Sequence, residues 1–162
     1  MYGIILLYDD ATDARIRGLW QSLADAGLPS TMPGFGHPPH VTLLICDELD
    51  VDRALPALEA CAAKQSPLPL TFSSVAVFPG PQAVVYLAVT LDRALNDFHQ
   101  QIWSITEPHA RGLHDFDRPG VFVPHTTLDF VIPIEQTGAV IEHLLRVDWI
   151  QNGPRKGVLA IC

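Results

Sequence analysis

The chain has 162 residues and 17.8 kDa, of which 48% are hydrophobic and 17% charged; this is the size of one domain with one packed core and excludes a disordered chain. Eighteen acidic against ten basic residues leave a formal net charge of −8, which excludes an extended nucleic-acid-coating surface and leaves room for a local phosphate site. Cys46, Cys61 and Cys162 form no disulfide framework and no close metal-ligand pair, so reduced thiols in a cytoplasm are expected.

Tyr2–Tyr8 is a β-rich run closed by Asp9-Asp10, and reads as the first strand. It lacks a basic leader, which argues against a signal peptide, and no apolar run reaches the ~18 residues of a membrane helix. Thr12–Ala26 carries Ile16, Leu19, Trp20 and Leu23 on one helical face and ends at Gly27 and Pro29. Ser30–Pro39, rich in proline and glycine, is expected to be a loop. His40–Cys46 reads as the second strand. Asp50–Lys64 reads as a second helix with Pro56 within it.

Leu68–Phe78 and Ala83–Leu91 flank Pro79-Gly80-Pro81-Gln82 and predict a hairpin. Ala94–Ile105 predicts a third helix with Leu95, Phe98, Ile102 and Ile105 on one side. Thr106–Val123 is irregular. His125–Val131 predicts a strand, Ile134–Leu145 a fourth helix, and Val147–Ile150 and Gly157–Ile161 two short strands. The order of elements repeats about every 80 residues, too few for a stable core in each half, so residues 1–162 are expected to form a single α+β domain of two similar halves meeting near residue 80.

Pro39-His40-Val41-Thr42-Leu43 and Pro124-His125-Thr126-Thr127-Leu128 both read Pro-His-x-Thr-Leu, 85 residues apart, and both open a strand after a Gly/Pro-rich loop. Side chains alternate along a strand, so His40 shares a face with Thr42, and His125 with Thr127. A pseudo-twofold between the halves would turn both pairs into one cleft. One neutral imidazole can then take a proton from an attacking water or hydroxyl while a protonated one gives a proton to the leaving oxygen. The two hydroxyls can donate to non-bridging phosphate oxygens. This chemistry requires no metal and no cofactor.

The two H-x-T motifs resemble the signature of the 2H phosphoesterase superfamily, which includes the 2′-5′ RNA ligase-like proteins and the RNA 2′,3′-cyclic phosphodiesterases. The resemblance spans nearly the whole chain. It implies a bilobal α+β fold with antiparallel sheets lining a central cleft and helices outside. It implies His40 and His125 as catalytic residues, Thr42 and Thr127 as phosphate-binding residues, and cleavage of a 2′,3′-cyclic phosphate or short phosphodiester. Some RNA-acting members carry a basic residue just after the motif. Here Leu44-Ile45 and Asp129-Phe130 stand there, which with the acidic balance favours a small nucleotide or short RNA end as substrate.

Phe35, before the first motif, and Phe122, before the second, are candidates for stacking on a base, as is Tyr86 in the hairpin. Arg111 and Arg118, with His109 and His114, lie in the second long loop and are candidates for closing over the substrate. His37 lies three residues before His40, but Pro38-Pro39 between them opposes a metal pair. His99 and His143 read as surface or packing residues, Trp20, Trp103 and Trp149 as core, Thr126 as structural, and Arg155 and Lys156 as surface charge at a turn. The expected activity is metal-independent cleavage by His40 and His125. Its rivals are a non-catalytic nucleotide or RNA-end binding module, 2′-5′ RNA ligase activity, and a metal-dependent hydrolase using His37 and His40.

Overall fold

Strand β1 (Tyr2–Tyr8) runs straight into helix α1 (Asp10–Asp25), because the Asp9 carboxylate accepts the Thr12 amide at 2.9 Å and caps the helix. The computed structural model describes residues 1–152 and 156–160. Ile16, Leu19, Trp20 and Leu23 are buried, as their spacing predicts. The segment expected to be a loop contains one helical turn, α2 (Met32–Phe35). Pro33 lies in that first turn, where a missing N–H costs no hydrogen bond, and Gly36 closes it at φ 70°.

Strands β2 (His40–Cys46) and β3 (Glu48–Leu49) follow, then α3 (Val51–Ala62), which Asp50 caps and which passes through Pro56. The hairpin is β4 (Leu68–Phe78) and β5 (Gln82–Val89). Helix α4 (Arg93–Thr106) buries Leu95, Phe98, His99, Ile102, Trp103 and Thr106. The irregular segment holds strand β6 (Ala110–Arg111), paired with β3, between two 3-10 turns, Glu107–His109 and Asp115–Asp117. Strand β7 (His125–Pro133) leads to α5 (Thr137–Arg146).

The expected strand Val147–Ile150 is instead part of a short helix, α6 (Asp148–Asn152). Valine, tryptophan and isoleucine favour strands only where a pairing edge is open. Here the Ile150 and Gln151 amides turn back on the Val147 carbonyl at 2.9 and 3.1 Å, and Trp149 packs edge-on against Phe72. The last strand, β8, spans Lys156–Ala160. Arg155, Ile161 and Cys162 lie outside the described residues, as does the Lys156 side chain. No helix among the described residues is long and apolar enough to cross a membrane.

The main sheet is antiparallel with strand order β2-β1-β8-β4-β5-β7. It is two leaves joined by β4. Leu68–Thr71 pairs with β8, whereas Phe72–Phe78 pairs with β5, with a register shift between Phe72 and Ser74. The outermost strands, β2 and β7, approach each other with Cα atoms within 8 Å, so the sheet curls and brings its two ends together. Helices α3 and α4 cover the β2 side, and α1 and α5 cover the β4-β5-β7 side.

The halves therefore exchange helices. Helix α1 from the first half packs on β7, and α4 from the second half packs on β2. Specific bonds hold the exchange. Trp20 Nε1–H donates to the Thr127 carbonyl at 3.2 Å, and the buried Tyr8 hydroxyl bonds to the Thr126 hydroxyl. On the other side, His99 Nε2–H is shared between the carbonyls of Leu43, at 3.1 Å, and Asp117, at 2.9 Å.

The loop after α4 reaches β2 through a close approach at Gly112. Its φ is +63°, and a Cβ there would sit 2.2 Å from Asp47 Oδ2 and 2.9 Å from Asp47 Cβ. The Asp47 amide also bonds the Arg111 carbonyl at 3.0 Å. Gly112→Ala is expected to lower stability by about 1–3 kcal/mol through strain and displacement of Asp47. Thermal melting reads this as a Tm several degrees lower, and an unchanged Tm contradicts the close approach.

Candidate active site

Each motif histidine is held in the same way. His40 Nδ1 lies 2.8 Å from the Pro38 carbonyl, and His125 Nδ1 lies 2.8 Å from the Val123 carbonyl. A carbonyl only accepts, so Nδ1 carries the proton and the neutral ring keeps its free lone pair on Nε2. The preceding proline explains the geometry. It holds the residue before it extended and fixes its own φ, which folds the carbonyl two residues back toward the ring.

Strand register then sets the neighbours. Thr42 and Thr127 follow their histidines by two residues and share their faces, and all four side chains are partly exposed. Leu7 pairs with His40 and Ile5 with Thr42, so the first motif has aliphatic flanks. Ala88 pairs with His125 and Tyr86 with Thr127. The Tyr86 ring lies 5.2 Å from the His125 ring and stacks on Phe78 at 4.1 Å, and Phe78 meets His125 edge-on at 4.9 Å. The second motif thus has an aromatic wall. Burial pushes His125 below its usual imidazole range, and the nearby His40 acts in the same direction while Asp117 opposes both.

The loops leading to the motifs are anchored crosswise. Asp129, four residues after His125, is fully buried and accepts both the Thr31 amide, at 2.9 Å, and the Thr31 hydroxyl. Phe130 packs edge-on against Phe35 at 4.7 Å. Residues following the second motif thereby hold the segment that leads to the first. In return the Ile45 amide, after the first motif, donates to Asp117 Oδ2 at 2.9 Å and holds the loop that leads to the second.

Of the aromatic candidates, Tyr86 is at the site, buried and against His125. Phe35 is exposed on the loop before β2. Phe122 is buried and stacks flat on His99 at 3.9 Å, so it serves packing rather than a substrate. The alternating pattern that exposes Val121 and Val123 turns Phe122 inward. Phe78 belongs to the site and escaped sequence reasoning. Its signal is its place diagonal to Tyr86 across the hairpin, which becomes visible only once the register is known.

Arg111 lies in the short strand beside β3, and Arg118 ends the 3-10 turn; both are exposed, and neither forms an ion pair among the described residues. His37 is exposed beside Phe35, and among the described residues no three His, Cys, Asp or Glu side chains gather as a metal site would require. Of the two roles expected for His99, surface or packing, the structure gives it packing, fully buried, and Trp20 is core as expected. Cavities of about 380 Å³ beside Phe72 and Trp149 and about 280 Å³ between β1 and α3 are lined by neither His40 nor His125.

Burial lowers the proton affinity of both His99 and His125. In the unfolded chain each titrates near ~6.5. As pH falls through that value the unfolded chain takes up protons that the folded protein resists, so stability falls. Asp117, which burial raises, acts in the opposite sense nearer the carboxylate range. Melting at pH 5.5 and 7.5 is expected to give the lower Tm at pH 5.5. An equal or higher Tm there contradicts the buried neutral imidazoles.

The sequence profile of the 2′-5′ RNA ligase superfamily matches residues 9–151, which include both motifs. Among solved structures, Usb1 of Kluyveromyces marxianus is similar, with 13% sequence identity, 97% of this chain and 90% of that chain covered, and a TM-score of 0.52. At that identity the likeness concerns the fold. No curated protein matches the chain in sequence. A profile that spans both histidine strands and the helices between them places the chain in the 2′-5′ RNA ligase superfamily, the 2H phosphoesterases.

Proposed function

We propose that this chain hydrolyses a 2′,3′-cyclic phosphate or a short phosphodiester, with His125 as general base and His40 as general acid. Membership of the superfamily supports phosphoesterase or ligase-type chemistry, and the hydrolytic direction is part of the proposal. The carrying observation is the pair of identical Nδ1–carbonyl bonds, which leave both Nε2 atoms free on strands that meet at the ends of one curled sheet.

In the proposed step, His125 Nε2 takes a proton from water as the water oxygen bonds to phosphorus. The bond from phosphorus to one ribose oxygen breaks, and that oxygen takes the Nε2 proton of His40, which enters the step as the doubly protonated imidazolium. Thr42 and Thr127 donate to the non-bridging oxygens as charge builds there. Proton exchange with solvent restores the pair. The aromatic, half-buried surroundings of His125 favour its neutral form, which suits the base. The net charge of −8 favours a small substrate, and buried free thiols at Cys46 and Cys61 fit a reducing cytoplasm.

The test is hydrolysis of the four nucleoside 2′,3′-cyclic phosphates with EDTA present. His40→Ala and His125→Ala are each expected to lower kcat/KM by ~10²-fold or more, and the double variant by little more than either, because the two act as a unit. The pH–rate profile is expected to be bell-shaped. Full activity in either single variant, or loss of wild-type activity on adding EDTA, contradicts the mechanism.

A further inference from the structure

Thr126 stands between His125 and Thr127 and, by strand alternation, points the other way, where it is buried. The matching position of the first motif is Val41. A buried hydroxyl needs a partner. Thr126 finds one 118 residues away in the chain, because its hydroxyl bonds to the hydroxyl of Tyr8, which is itself buried. Burial raises Tyr8 well above the ordinary phenol range, so the hydroxyl keeps its proton at neutral pH. On the next residue, the Thr127 carbonyl accepts from Trp20 Nε1–H at 3.2 Å.

On β1, Tyr8 follows Leu7, and Leu7 is the ladder partner of His40. Two adjacent residues of one strand therefore reach both motifs. Leu7 lies opposite the first histidine, and the Tyr8 side chain ends on the residue after the second. Strands β2 and β7 are not ladder partners among the described residues, so backbone pairing between them does not set how far apart the histidines stand. The tie through Tyr8 is stiff. Its side chain has only two torsions before the hydroxyl, and its ring packs 6.0 Å from the Phe72 ring.

We propose that Tyr8 is a positioning residue that sets the spacing of the two histidines: β1 holds His40 through Leu7, and the Tyr8 hydroxyl holds the His125–Thr127 segment through Thr126. The proposal rests on His40 and His125 as the proton carriers argued above. Tyr8 acts through Thr126 and not on substrate.

The test compares Tyr8→Phe, Thr126→Val and the double variant in turnover of a nucleoside 2′,3′-cyclic phosphate, in affinity for a uridine–vanadate complex and in thermal melting. Each single variant leaves one buried hydroxyl without its partner and is expected to lower Tm. The double variant removes both hydroxyls and is expected to recover most of that loss. Activity is expected not to recover with it. All three variants lack the same tie, so kcat falls about tenfold in each and KM changes little. Affinity for uridine–vanadate is expected to fall by a similar factor, and the limbs of the pH–rate profile to stay in place. A kcat that returns with Tm in the double variant, or that is unmoved in Tyr8→Phe, marks a merely structural pair of hydroxyls and overturns the proposal. Should Tyr8→Phe not fold, Thr126→Val alone is expected to show the same loss of kcat, and full activity in it overturns the proposal equally. A wild type inert on cyclic phosphates, whose affinity for uridine–vanadate still falls in Tyr8→Phe, upholds Tyr8 and removes the hydrolytic reading alone.

Discussion

The hydrogen bond from each imidazole Nδ1 to the carbonyl two residues earlier decides what the rest of the molecule can do. It fixes the tautomer and the ring plane together, so the nitrogen left free is always Nε2. Without it, a histidine at the start of a strand would sample several rotamers, and a proton carrier that must meet a reacting atom at about 3 Å would be out of place for much of the time. The proline before each histidine builds the bond locally, at no cost to the sheet, because strand pairing proper begins only at the histidine.

A local clamp places one ring; only the fold places the second ring opposite. Here the arrangement is reciprocal at two levels. Helix α1 covers β7 through Trp20, and α4 covers β2 through His99. Residues after each motif also hold the loop before the other, through Asp129 with Thr31 and through Ile45 with Asp117. Neither half can shift without disturbing the approach to the other's histidine. The two sides of the site still differ. His40 has aliphatic neighbours by register, and His125 has Phe78 and Tyr86. A duplicated motif in unlike surroundings is what allows, on the proposed reading, two copies of one residue to take different roles.

The motif pair was legible because it depends on strand alternation and sequence spacing, which a single chain displays directly. The main helices and the hairpin were legible for the same reason, through apolar periodicity and the Pro-Gly-Pro turn. What depends on distant partners was not. Val147–Ile150 has the side chains of a strand but turns helical and places Trp149 on Phe72. Phe122 has a cleft-like position in sequence, yet alternation with Val121 and Val123 sends it to His99. His99 itself, and Asp117 and Asp129, carry polar side chains that sequence statistics assign to the surface. Each is kept inside by backbone partners contributed by the other half of the chain. The helix exchange leaves no mark in local pattern at all.

The central claim is that His40, His125, Thr42 and Thr127 surround one phosphate. A crystal structure with a uridine–vanadate complex tests it most directly, because vanadate adopts the five-coordinate geometry of the displacement. The account predicts the vanadium between the two imidazoles, with an apical oxygen within hydrogen-bond distance of each Nε2 and equatorial oxygens bonded to both threonine hydroxyls. Vanadate held by only one motif, or bound away from both histidines, would contradict it.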